Sequence, residues 1–119
     1  MPFKFEKLEV WHESMDLADD INKLTELFPQ KEIYNLSSQI RRAADSVSLN
    51  IAEGSTATSN TEQARFINIS IRSCNEVVCC LYKSLRRSYN GDADFKSFYD
   101  KYDRLVARLQ AFRNSLDNH

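Results

Sequence analysis

The sequence predicts an all-α fold, an antiparallel up-down-up-down four-helix bundle. Three observations carry that reading. The 119 residues hold only two glycines and two prolines, and Pro2 and Pro29 both fall outside helical patterns. Long stretches repeat apolar residues at helical spacing. The connections between them are short and their faces heptad-like, the pattern of neighbouring antiparallel helices. The length suits one domain over residues 1–119, enough to bury roughly two-thirds of the unfolded surface.

The first helix is expected from Leu8 to Phe28, with Phe3 and Phe5 capping one end of the core. Trp11, Met15, Ala18, Ile21, Leu24 and Phe28 form its expected buried side. Pro29 stops it, because the residue before a proline avoids helical angles. Glu9, Glu13, Asp16 and Asp20 give it an acidic face, read as solvated or as a docking strip for a basic face of another subunit.

The second helix is expected from Ser37, as N-cap behind the apolar Leu36, to Glu53, with Gly54 as its C-cap glycine. Ile40, Ala44, Val47 and Ile51 share one face, flanked by the small Ala43 and Ser48, so a neighbouring helix can come close. Asn50 and Glu53 interrupt that economy. A carboxylate in the last turn opposes the helix dipole by roughly 0.3–1 kcal/mol. Glu53 and Asn50 are therefore expected in a polar cluster with Arg41, Arg42 or an arginine of another helix.

Ser59 or Asn60 opens the third helix at capping-box spacing from Glu62 and Gln63. It is expected to reach Tyr89, about 43 Å at 1.5 Å per residue, and so to extend past the second helix at about 25 Å. Its core stripe is Ile67, Cys74, Val78, Leu81 and Leu85. Asn90-Gly91 marks a turn, and Asp92 caps the fourth helix. There Phe95, Phe98, Tyr102, Leu105, Leu109, Phe112 and Leu116 form an unbroken heptad seam.

Composition narrows the chemistry. No apolar run approaches the ~18 residues of a membrane span, and no signal-peptide pattern opens the chain, so cytoplasm is the expected location and no membrane partner is expected. Cys74, Cys79 and Cys80 lie on one helix with no C-x-x-C pair and are read as reduced and structural. Net charge is −1, yet residues 1–34 carry four Lys against eight Asp or Glu, and the rest twelve basic against nine acidic residues. The positive bias of the later helices permits contact with nucleic acid without demanding it.

Glu9-x-x-His12 has the spacing used in di-iron bundles, which need a second such motif. None is present, so His12 is expected to pair with Asp16, and no metal or cofactor site is expected. No phosphate loop or catalytic triad is indicated. Arg113-x5-His119 matches the arginine–histidine spacing of HEPN-type ribonucleases and supplies the enzymatic alternative. Arg65, Arg72 and Arg86 stand at multiples of seven, with Lys83 and Arg87 beside them and Tyr82 and Tyr89 available for stacking. They form the candidate nucleic-acid face. Lys101, Arg104 and Arg108 line an outer face of the fourth helix, with Asp100–Arg104 as an expected pair.

The run Q-I-R-R-A-A-D-S-V-S-L-N-I-A-E-G, Gln39 to Gly54, resembles the signature of the four-helix-bundle family named for proteins encoded in intervening sequences of 23S ribosomal RNA genes. That family includes accessory proteins of diversity-generating retroelements. Leu8-Glu9-Val10-Trp11, Phe28-Pro29, and Ser73 with Glu76 extend the resemblance over nearly the whole chain. The resemblance implies a homo-oligomer, a ring-like pentamer. It also implies RNA or DNA and, in a retroelement, a reverse transcriptase as partners. Relatives commonly carry arginines after N-I-A-E-G where this chain has Ala57 and Thr58, and Arg72-Ser73 replaces the expected Gly-Ser. The resulting expectation is a non-enzymatic scaffold or adaptor, with a purely protein-binding module or a ribonuclease as the competing readings.

Overall fold

The computed structural model describes residues 2–117, which form four helices joined by short connections. Helix α1 spans Glu9–Thr25, α2 Leu36–Ser55, α3 Asn60–Arg86 and α4 Asp92–Asp117. A 3-10 turn at Lys4–Lys7 leads into α1, and a second at Gln30–Glu32 leads into α2. Successive helices run antiparallel in an elongated body of 46 × 23 × 21 Å. The expected all-α bundle is therefore observed. The packing is uneven: α2 and α3 share the largest contact, and α1 touches α4 least.

Local chemistry explains most of the ends. Ser59 caps α3, its hydroxyl accepting from the Glu62 N–H at 3.1 Å, while the Glu62 carboxylate accepts from the Thr58 N–H at 3.2 Å. Helix α3 closes in a Schellman motif. The Tyr89 N–H donates to the Ser84 carbonyl at 2.9 Å and the Ser88 N–H to the Leu85 carbonyl at 3.0 Å. Ser88 takes the left-handed position, with φ 62°. The expected N-cap of α2 moves two residues upstream, from Ser37 to Asn35, because Leu36 and Ser37 are already helical and buried.

The α4 seam is observed from Phe95 to Phe112, and the expected last member, Leu116, lies outside the core cluster. Tyr102, Leu105 and Leu109 are fully buried, and Phe95, Phe98 and Phe112 pack against the core from its ends. In α1 the expected phase is corrected. Val10, Leu17, Ala18, Ile21, Leu24 and Phe28 are buried, whereas Met15 is 39 % exposed and Trp11 half-buried. The reason is Ser14, which occupies the stripe between Val10 and Leu17. Its hydroxyl donates to the Trp11 carbonyl at 2.7 Å, so a polar residue is buried with its hydrogen bond made. Trp11 instead stacks on Phe5, ring centroids 4.7 Å apart.

Buried serines recur. Ser48, Ser55 and Ser84 each donate to a carbonyl three residues back. Two others join helices: Ser70 donates to the Val47 carbonyl at 2.9 Å and Ser73 to the Ser46 hydroxyl at 2.8 Å. Small side chains let α2 and α3 approach until backbone and side chain bond directly across the seam.

Gly54 belongs to that seam and corrects its expected capping role. It lies inside α2 without a left-handed φ, and α2 ends at Ser55 with Thr56 as C-cap. A Cβ on Gly54 would stand 3.0 Å from Phe66 Cβ and 3.4 Å from the Gln63 carbonyl. Gly54→Ala gains about 1 kcal/mol of helix propensity but overpacks at a cost of about 1–3 kcal/mol. Since Phe66 Cβ is fixed to its own backbone, a net loss of about 1 kcal/mol is expected. Gly91→Ala, where nothing lies within 4 Å, serves as the neutral control. Thermal melts of both variants check this, and a higher Tm for Gly54→Ala contradicts it.

Candidate interaction faces

The polar cluster expected around Glu53 is not formed. Glu53 is exposed and its carboxylate makes no hydrogen bond or ion pair among the described residues. Arg42 lies eleven residues upstream on the same straight helix, about 16 Å away at 1.5 Å per residue, beyond side-chain reach. Arg41 is half-buried and Arg42 exposed. Asn50 turns back along its own helix instead, its Nδ2 donating to the Ser46 carbonyl at 2.8 Å and hydroxyl at 3.0 Å.

The buried charge is one that sequence reasoning missed. Glu32, in the turn between α1 and α2, is 4 % exposed. Its carboxylate accepts from the Tyr89 hydroxyl at 2.7 Å, Asn35 Nδ2 at 2.9 Å and Arg87 Nη1 at 3.0 Å, with the Leu36 N–H more distant at 3.5 Å. Helix α2 has no acidic residue in its first turn and no side-chain cap of its own. Glu32 supplies the negative charge its N-terminus favours. The same carboxylate ties the α1–α2 connection to the end of α3. The C-terminal reach of α3 is thus met by the Gln30–Glu32 turn.

This joint engages Arg87 and Tyr89, two of the residues expected to face nucleic acid, while the Arg87 side chain stays 41 % exposed. Tyr82 is engaged too, packed on Phe95 at 4.7 Å between ring centroids. Arg65, Arg72, Lys83 and Arg86 remain exposed along the outer side of α3, without an ion-pair partner among the described residues. The acidic face of α1 meets α4 of the same chain: Arg108 pairs with Glu9 at 2.7 Å and with Glu13. Asp16, Asp20, Lys101 and Arg104 line the cleft beside that pair. Asp100 pairs with Lys96 at 3.2 Å rather than with Arg104. His12 Nε2 donates to the Glu6 carbonyl at 2.8 Å instead of pairing with Asp16.

Arg113 donates to Asn68 Oδ1 at 2.8 Å, which holds it against α3. His119, its partner in the ribonuclease reading, lies outside the described residues. Among the described residues no three His, Cys, Asp or Glu side chains converge as a metal site requires. The three cysteines are free; Cys74 and Cys80 are buried and Cys79 exposed. Burial pushes the Cys74 thiol up to about 12 and the Cys80 thiol to about 11. Both stay protonated and unreactive at neutral pH. The Tyr102 hydroxyl is buried without a hydrogen-bond partner among the described residues, and burial raises its pKa.

These features define an antiparallel helical bundle in which Glu32 and the buried serines bond within and between its own elements, with charged and apolar side chains exposed outside. The chain belongs to the 23S rRNA-intervening sequence protein family, whose model matches residues 6–111. No curated protein matches the chain. No helix among the described residues is long and apolar enough to cross a membrane.

The Glu32 joint gives a pH prediction. The Tyr89 hydroxyl above all, then Asn35, the Leu36 N–H and Arg87, hold the carboxyl below its ordinary 4.5 against the opposing cost of burial. A depressed carboxylate pKa stabilises the fold above the unfolded value, and that contribution is lost as pH falls through the folded value. Wild type is therefore expected to melt several degrees above Glu32→Gln at neutral pH, with the gap closing well below pH 4.5. Melting both proteins across that range checks it; a gap independent of pH assigns the effect to packing.

Proposed function

We propose that this protein is a non-enzymatic, self-assembling helical scaffold of the cytoplasm, a homopentamer by its resemblance to the family. The observation that carries the reading is the apolar surface left outside the core. Leu49 is 63 % exposed and Ile69 41 % on one side of the bundle, and Tyr82 is 48 % and Tyr99 39 % on another. Patches of large apolar side chains rimmed by charge mark association surfaces. Light scattering on the eluting protein is expected to give a mass several times 13.8 kDa. A monomer at all concentrations would remove the reading.

A second reading rests on Arg65, Arg72, Lys83 and Arg86, four cations on the outer side of α3 without an ion-pair partner among the described residues. They support weak, sequence-independent contact with RNA or DNA, strengthened by repetition around an assembly. A protein partner such as a reverse transcriptase belongs with the same scaffold role. Binding to mixed-sequence RNA is expected to weaken steeply with salt, by a slope of about −0.7 per single-strand phosphate contact. Arg72→Glu/Lys83→Glu should lose it. Salt-insensitive binding, or binding untouched by the double reversal, would place the contact elsewhere.

A further inference from the structure

The α1–α4 edge is built on charge. Helix α1 packs chiefly on α2 and touches α4 least. A cleft of about 450 Å³ lies along the edge. Glu13, Asp16 and Asp20 form its α1 wall and Lys101, Arg104 and Arg108 its α4 wall, with Leu17 between them. One end of this ladder is closed: Arg108 bridges to Glu9 at 2.7 Å and to Glu13. Lys101 and Arg104 line the cleft with Asp16 and Asp20, and none of the four has an ion-pair partner among the described residues. Surface pairs of this kind weaken as salt rises.

Behind the edge lies a part of the core that is not fully satisfied. Tyr102 of α4 is 1 % exposed, and its hydroxyl has no hydrogen-bond partner among the described residues. Cys74 of α3 is fully buried. Burial raises the pKa of both groups. Glu13 of α1 adds to the rise at Cys74; Cys74 itself, then Asp20 of α1 and Asp45 of α2, add to it at Tyr102. Thiol and hydroxyl therefore sit together, inward of the acidic face of α1. A hydroxyl buried without a partner carries its desolvation cost uncompensated, and a water reaching it removes that cost. The α2–α3 seam carries no such penalty at Ser70 and Ser73, whose hydroxyls are bonded across it.

We propose that the α1–α4 edge is a gate sensitive to ionic strength: α1 moves off α4 while keeping its contact with α2, and water reaches Tyr102 and Cys74 while α2, α3 and α4 stay packed. Arg108 is the latch. Folded chains open in cooperative parts, and the parts with the fewest packed contacts open at the lowest free energy. In this bundle that part is α1 against α4. Two features set the balance in opposite directions. The Arg108 pairs favour the closed edge, and salt screens them. The unpartnered Tyr102 hydroxyl favours the open one.

The test follows thiol labelling by N-ethylmaleimide, an uncharged reagent, with the labelled residue located by mass spectrometry. The full chain carries Cys79→Ser, which removes the exposed thiol and leaves two buried ones. Cys74 continues the core stripe of Ile67 and Leu81, whereas Cys80 continues the α2-facing stripe of Ser70 and Ser73. Global unfolding exposes both, and the gate exposes Cys74. Cys74 is therefore expected to label faster than Cys80, and faster still as salt rises from about 0.05 to about 0.5 M. Arg108→Gln is expected to speed Cys74 labelling about three- to tenfold, the range two surface pairs support, and to remove most of its salt dependence. Cys80 should not follow. Tyr102→Phe, which removes the unpartnered hydroxyl, is expected to slow Cys74 labelling. Equal labelling of Cys74 and Cys80 in every variant would show global unfolding alone and overturn the gate. Cys74 labelling indifferent to salt and to Arg108→Gln would overturn the latch. A rate that Tyr102→Phe leaves unchanged would overturn hydration of that hydroxyl as part of the opening.

Discussion

The close approach of α2 and α3 is the constraint on which the remaining packing depends. Ser46, Val47 and Gly54 face Ser73, Ser70 and Phe66 across a seam narrow enough for a side-chain hydroxyl to reach the opposite backbone. Hydrogen bonds give that seam a fixed register, which apolar contact alone does not, since dispersion and burial are non-directional. With α2 and α3 locked, α4 lays its heptad seam against α3 and α1 packs chiefly on α2. The remaining α1–α4 edge is held by Arg108 between Glu9 and Glu13. Those surface pairs contribute little, typically about 0–1 kcal/mol each by the general behaviour of surface ion pairs.

Glu32 performs at one end of the bundle what the serines perform along its length. A carboxylate taken out of water is costly unless its lone pairs are satisfied. Here Tyr89, Asn35 and Arg87 satisfy them, and three separate parts of the chain are drawn to one point. The same bonds commit the Tyr89 hydroxyl and Arg87 Nη1 to this joint. Arg65, Arg72, Lys83 and Arg86, by contrast, are exposed cations of α3 without an ion-pair partner among the described residues. They lie together on the outer side of α3.

How much was legible in the sequence follows from the range of the interactions involved. The helix count, the α4 seam from Phe95 to Phe112 and the Ser59 cap depend on residues a few positions apart, so spacing alone determined them, whereas α1 ends at Thr25, short of the expected stop at Pro29. The family followed from the Gln39–Gly54 run. The tertiary structure decided the rest. A buried serine reads as polar until its hydroxyl is seen to satisfy itself on a carbonyl, which shifted the core face of α1 from Met15 to Leu17. Gly54 reads as a terminator until Phe66 is found against it. Glu32 and Arg87 are 55 residues apart, and no local pattern marks two residues that topology alone brings together.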